Sequence, residues 1–306
     1  MEFNHKSVML CEAIEALSVK PDGIYVDGTV GGAGHSLEIV KRLGSGRLFA
    51  FDRDPEAVAV AAKRLEGCNA TVIEDNFKNM REALNGYGVF SVDGVLLDLG
   101  VSSYQLDNAS RGFSYRQDAP LDMRMESTGT TAADIVNTYS AAELERVFRD
   151  YGEERFALKI ANKIVAEREK APIRNTLRLS EIIAQCVPAS VRRQGNPSRK
   201  CFQALRIEVN GELEALNAAL DSAFDMLNAG GVLAIITFHS LEDRAVKQKF
   251  KTWCTGCTCP PDFPVCVCGK KPAGELVFKK PVLPGDEELK ENSRSRSAKL
   301  RAIRKI

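Results

Sequence analysis

The sequence predicts an α/β domain on a parallel sheet with helices on both faces, interrupted by an all-helical insertion. Two observations carry this reading. From residue 24 short β-branched runs alternate with helical patterns, which is the rhythm of βαβ units. That rhythm stops after Asp98 and resumes near residue 211, and the stretch between shows helical periodicity without a convincing strand.

The strands of the first half are "IYVD", "GRLFAFD", "ATVIED" and "VDGVLLD", and the helical patterns between them are "SLEIVKRL", "PEAVAVAAKRL" and "KNMREAL". Asp54, just before Pro55, is placed to cap the helix that follows. In the interruption, "TAADIVNTY", "SAAELERVFRDYG", "EERFALKIANKIVAERE" and "LRLSEIIAQCV" set apolar residues three or four apart, and Ser140 has Glu143 in capping-box position. The sheet resumes with "GELEALNAALDSAFDMLNAGG", read as a helix closed by Gly230 and Gly231, and then the strand "VLAIITF". The expected borders are 1–105 and 205–306 for the sheet domain and 106–204 for the insertion. The tail "AKLRAIRKI" is either loose or a last strand packing Leu300, Ile303 and Ile306 inward.

At 306 residues the chain can bury a sizeable core. Its 42 Lys and Arg nearly balance 41 Asp and Glu, but their distribution is uneven. Residues 192–206 hold five basic and no acidic side chains, and residues 270–306 hold eleven basic against five acidic. Arg192, Arg193, Arg199 and Lys200 are therefore candidate phosphate contacts, with a solvated surface loop as the alternative. The opening "MEFNHKSVMLCEAIEAL" lacks the pattern of a secretion signal, and no apolar run reaches the roughly 18 residues of a membrane span, so a soluble cytoplasmic protein is expected.

"IYVDGTVGGAGHS" is strand, glycine-rich turn and helix, a place where backbone amides can approach a ligand. It matches neither the P-loop nor the dinucleotide fingerprint, because Leu37 stands where the latter needs a third small residue. The next strand ends in Asp52, where this fold places the acid that binds ribose hydroxyls. A glycine turn with a ribose acid and no phosphate recognition suits S-adenosylmethionine. "EDNF" adds Asp75 and Phe77 as neighbours for an adenine. Asp98 ends the fourth strand and faces the same crevice; it either caps the following turn, holds the cofactor, or orients an attacking amine.

"LLDLGVSSYQLDNASRGFSYRQDAPLDMRM" closely resembles the MraW/RsmH family of bacterial small-subunit ribosomal RNA cytosine-N4 methyltransferases. So do "HKSVML", "DGTVGGAGHS", "FDRDP", "YGEERFALKIANKI", "CFQALRIEVNGEL" and "ITFHSLEDRAVK", so the resemblance covers nearly the whole chain. It implies a Rossmann-like methyltransferase sheet with an inserted helical domain. The implied cofactor is S-adenosyl-L-methionine, and the implied substrate is a decoding-centre cytidine of 16S rRNA in the small ribosomal subunit. Carried over by position, the implied cofactor contacts are Ala33, Gly34, His35, Asp52, Phe77, Asp98 and Gln105. His239 in "TFHSLED" either meets the target base or orients Glu242 and Asp243. Phe113, Tyr115 and Phe238 are candidates for holding an unstacked base. Two small departures are Cys201, where threonine is commoner, and "VFKKP" in place of a "TRKP"-like run.

Two rival readings stand beside this one. A nicotinamide-dependent oxidoreductase is disfavoured by the missing third glycine, and a non-catalytic assembly factor would keep the fold without turnover. Of nine cysteines, Cys11, Cys68, Cys186 and Cys201 are isolated, while Cys254, Cys257, Cys259, Cys266 and Cys268 crowd together. They supply enough thiolates for a tetrahedral zinc site. Their irregular spacing and a family not defined by a metal favour a reduced loop instead.

Overall fold

The computed structural model describes residues 7–193, 195–257, 259, 265 and 268–306. Seven strands form one sheet: β1 Ile24–Asp27, β2 Arg47–Asp52, β3 Ala70–Glu74, β4 Val92–Asp98, β5 Leu227–Thr237, β6 Gly274–Leu276 and β7 Lys299–Lys305. Their spatial order is β3-β2-β1-β4-β5-β7-β6, parallel through β5 and antiparallel at β7. The chain winds outward from β1 to β3 and then returns to place β4 on the other side of β1. The switch point of the sheet therefore lies between β1 and β4, where open α/β sheets bind ligands.

The helices in chain order are α1 Leu10–Leu17, α2 Gly34–Val40, α3 Pro55–Arg64, α4 Met80–Gly86, α5 Ser103–Asp107, α6 Ala132–Thr138 and α7 Ala141–Asp150. They continue as α8 Ala157–Arg168, α9 Thr176–Cys186, α10 Ala189–Arg192, α11 Ser198–Asn210, α12 Glu212–Met226, α13 Ser240–Cys254 and α14 Asp286–Glu291. As the capping patterns predict, Asp54 accepts the Glu56 amide at the start of α3, and Ser140 and Glu143 cap α7 reciprocally.

The central strands are apolar along their length because both faces are covered. On β5, Val232, Ala234 and Ile236 join one core cluster, while Leu233 and Ile235 join the other. The second cluster receives Leu216, Ala219, Leu220 and Ala223 from α12, a helical stripe at spacings of three and four. β7 follows the same alternation, with Leu300 and Ala302 on one face and Ile303 on the other. The last expected core residue, Ile306, is 66% exposed, since β7 ends at Lys305.

Gly230 and Gly231 do not close α12. The helix ends at Met226, and both glycines lie inside β5, where the register against β4 jumps from Val92↔Leu227 to Gly94↔Val232. This bulge needs Gly230 at φ 80°, and a Cβ on Gly231 would fall 2.9 Å from the Asn228 carbonyl oxygen.

The chain divides into two compact units, Met1–Gly100 with Glu214–Ile306, and Val101–Leu213. The expected borders at 105 and 205 thus move outward. The downstream border moves because α11 is one continuous helix, and Cys201, Phe202, Ala204 and Leu205 on it belong to the core of the helical unit. That core also takes Leu144, Val147 and Phe148 from α7, Ile160 and Ile164 from α8, and Ile182 and Ile183 from α9. Cys201 is fully buried there and burial pushes its thiol well up, which makes it a packing residue. No helix among the described residues is long and apolar enough to cross a membrane.

Candidate active site

The carboxyl ends of β1, β2 and β4 carry Asp27, Asp52 and Asp98. Asp27 is buried, and its Oδ2 accepts the Ser36 hydroxyl at 2.6 Å while Oδ1 accepts the Thr29 amide at 3.1 Å. Burial pushes Asp27 up to about 6, and the charge of Asp52 adds to the rise. The Thr29 hydroxyl in turn accepts the Asp98 amide at 2.6 Å, joining the ends of β1 and β4.

Asp98 is the most perturbed of the three. Burial comes first and the charges of Asp27, Glu242 and Glu288 follow, together raising it well above the usual carboxylate range. Its side chain keeps 22% exposure, yet Oδ1 itself is buried without a hydrogen-bond partner. His35 Nδ1 lies 3.8 Å from Asp98 Oδ2, beyond hydrogen-bond reach. It makes no ion pair either, because burial lowers the imidazole to about 4 and keeps it neutral at pH 7. His35 Nε2 faces the Val8 carbonyl at 3.1 Å, so Nε2 carries the hydrogen and Nδ1 presents a lone pair.

Asp52 ties the glycine loop to β2. Its Oδ2 accepts the Gly31 amide at 2.9 Å and its Oδ1 accepts the Asp54 amide at 3.0 Å. Burial raises this carboxyl as well, partly offset by those two bonds. The loop itself holds Gly31 at φ 46° and Ala33 at φ 60°, the latter an uncommon conformation for a residue with a Cβ. At Gly34 a Cβ would fall 1.9 Å from Ser7 Oγ, so a side chain there would displace Ser7 from the start of α2. Phe77 lies beside the start of the loop, since a Cβ on Gly28 would meet Phe77 Cβ at 3.1 Å. Asp75 is engaged locally, accepting from the Asn76 amide and from Asn79 Nδ2, each at 2.7 Å.

Ala33, Gly34, His35, Asp52, Phe77 and Asp98 thus lie together at one edge of the sheet unit. Asp27 and Thr29 join them and escaped the sequence reading, although an acid directly before a glycine turn was the available signal. Gln105 lies in the helical unit, 5% exposed, where its side-chain oxygen accepts the Ser102 amide and its own amide donates to Ser102 Oγ. Arg192, Arg193, Arg199 and Lys200 are all exposed on or beside α10 and α11. Lys200 Nζ donates to the Glu153 carbonyl at 2.8 Å. The fifth basic residue of that stretch, Arg206, is held by two bonds of 2.8 Å to Glu212. Phe113 is buried in the helical core, and Tyr115 packs edge-on against Phe202 at 5.5 Å.

His239 is the N-cap of α13. Its Nδ1 accepts the Glu242 amide at 3.4 Å, and Glu242 accepts the Phe238 and His239 amides at 2.8 and 3.2 Å. Nε2 comes within 3.1 Å of Glu242 Oε1 without hydrogen-bond alignment and is otherwise unpartnered. Asp243, the other acid expected to be oriented by His239, is instead held by Lys299 at 3.0 Å and Arg301 at 2.7 Å. In the cysteine-rich segment, the sulfurs of Cys257, Cys259 and Cys268 lie within 4.8 Å of one another. Cys254 is not among them, and Cys266 lies outside the described residues.

A Rossmann-like methyltransferase domain with a helical insertion is the class that this strand order and this acid-lined edge define. More narrowly, the chain belongs to the MraW methylase family, whose pattern it matches over residues 2–306. It is 56% identical to the ribosomal RNA small subunit methyltransferase H of Lachnospira eligens, over 100% of this chain and 99% of that protein. The corresponding protein of Ruminiclostridium cellulolyticum is 52% identical, with 100% of both chains covered. The methyl donor of this family is S-adenosyl-L-methionine.

Proposed function

We propose that the protein transfers a methyl group from S-adenosyl-L-methionine to the exocyclic N4 of a decoding-centre cytidine in 16S rRNA of the small ribosomal subunit. The relatives named as small-subunit rRNA methyltransferases support the substrate class. The observation that carries the cofactor assignment is the Asp98 carboxylate, with a buried, unpartnered Oδ1 among acids that repel it. Such a group destabilises its own charged form until a cation or a hydrogen-bond donor arrives. A donor bearing an ammonium and a sulfonium fits that need. A phosphate-bearing nicotinamide cofactor would set its anions against the buried acids Asp27 and Asp98.

The donor supplies an electrophilic methyl group on a positively charged sulfur. The residues do the rest. Asp52 accepts hydrogen bonds from ribose hydroxyls through the lone pairs left over from Gly31 and Asp54. Asp98 neutralises positive charge, and its raised proton affinity suits it to accept a hydrogen bond from the cytosine amine, whose lone pair is otherwise drawn into the ring. Phe77 offers an apolar wall to the adenine. Gln105 is taken over from the family resemblance as a further donor contact, and His239 holds the start of α13 beside the target base. Arg192, Arg193, Arg199 and Lys200 take RNA phosphates.

The test is to incubate the protein with labelled S-adenosylmethionine and either naked 16S rRNA or small subunits, and then to map the product nucleoside. N4-methylcytidine is expected. A 5-methyl or 2′-O-methyl product would overturn the chemistry, and binding of the donor without any turnover would leave an assembly factor.

A further inference from the structure

We propose that Cys257, Cys259 and Cys268 bind a zinc ion that fixes the loop between α13 and β6. The three sulfurs lie within 4.8 Å of one another, and the Cys257 and Cys268 sulfurs are 3.7 Å apart. That spacing is far outside the roughly 2.05 Å of a disulfide bond. It matches the edge of a tetrahedron of sulfurs around zinc, about 3.8 Å for Zn–S bonds of about 2.3 Å. The Cys259 amide also points at the Cys257 sulfur, at 3.4 Å, the kind of backbone contact that steadies a thiolate ligand.

The ends of the loop are tied together independently of the cysteines. Its base is closed, because the Ala273 amide donates to the Trp253 carbonyl at 2.8 Å and Gly256 abuts Pro272, where a Cβ would fall 3.0 Å from the ring. Beyond that base, Val265 is 69% exposed. The sulfurs of Cys257 and Cys259, early in the loop, and of Cys268, late in it, lie together.

Spacing in the sequence pairs Cys254 with Cys257, and the structure separates them. Cys254 belongs to the last turn of α13, and burial pushes its thiol up. Binding converts three thiols to thiolates with release of three protons and leaves one tetrahedral position for a further ligand. Soft thiolate donors select zinc over magnesium or calcium.

Metal content of the full chain, purified without chelator or added metal, is the direct measurement, and about one zinc per chain is expected. Replacement by Co²⁺ should produce a thiolate-to-cobalt charge-transfer band. Cys257→Ser and Cys268→Ser should lose both signals, while Cys254→Ser and Cys201→Ser keep them. Wild-type protein that holds no zinc and develops no such band on addition of Co²⁺ overturns the proposal whatever the variants do. Zinc retained by Cys257→Ser, or a Cys257–Cys268 disulfide under reducing conditions, overturns it as well.

Discussion

The Asp52 carboxylate accepts the Gly31 amide at 2.9 Å, so the end of β2 and the glycine loop after β1 are one unit. Asp52→Ala should therefore both loosen the loop and remove the ribose acceptor. Charge-assisted hydrogen bonds are worth about 1.5–3 kcal/mol, so a loss of roughly 10- to 150-fold in cofactor affinity is expected by calorimetry, with a lower melting temperature. Asp52→Asn keeps an acceptor for one amide and should lose less of both. Equal affinity in wild type and Asp52→Ala would remove Asp52 from the site.

Asp27 makes stability pH-dependent in a direction opposite to that of a salt-bridged acid. Its carboxyl ionises near 3.8 in an unfolded chain and near 6 in the fold, so between those values the folded state holds the proton more firmly. Stability from this group is greatest below pH 3.8 and falls as pH rises to about 6, above which the full cost, at most about 3 kcal/mol, is present. Asp27→Asn can keep the bonds to Thr29 and Ser36 without the charge. It should be more stable than wild type at pH 8, with the gap closing towards pH 4. Parallel denaturation curves at every pH would contradict this.

For Asp98 the same physics is read through the ligand. Its carboxyl is raised well above the ordinary range, chiefly by burial and then by the Asp27, Glu242 and Glu288 charges. A cationic ligand binds the ionised form, so affinity for S-adenosylmethionine should strengthen as pH rises through the raised value. Asp98→Asn should flatten that dependence, and Asp98→Ala should lose cofactor affinity outright. Normal binding with lost turnover would instead make Asp98 a group that acts on the amine alone.

His239 illustrates a residue whose chemistry the fold has already employed. Because its Nδ1 caps α13, His239→Ala should cost about 1 kcal/mol of stability, and His239→Asn, which can cap, should not. Contact with the target base predicts that His239→Asn, though stable, raises KM for RNA. Unchanged kinetics in that variant would leave His239 a helix cap.

The central strands were legible because they are buried on both faces, so apolar runs such as those around Val95 and Ile235 stand out between helical patterns. The acids at strand ends were legible because the fold class itself says where ligands sit; Asp52 and Asp98 follow from that. Asp27 was missed although it stands directly before the glycine turn, because its raised proton affinity comes chiefly from burial and then from the Asp52 charge, which the linear sequence does not display. The same holds for Gly230 and Gly231, which look like a helix stop but serve a bulge that only pairing with β4 defines. The cysteines show the limit most directly, since sequence spacing groups Cys254 with Cys257 while folding carries Cys254 into α13 and brings Cys268 back to Cys257.

Arg192, Arg193 and Arg199 are exposed, and they lie in a stretch without acids. If they meet RNA phosphates, each contact releases condensed counterions, and affinity falls with salt in proportion to their number. The triple variant Arg192→Ser, Arg193→Ser, Arg199→Ser should therefore bind more weakly at low salt. The slope of log affinity against log salt should also shrink by about 2 to 3, at 0.7–0.9 per phosphate. Cofactor affinity should be unaffected, because none of the three is among the residues proposed to hold the donor. Binding curves by fluorescence anisotropy at several KCl concentrations make the comparison, and an unchanged slope would mean that this face meets solvent and not RNA.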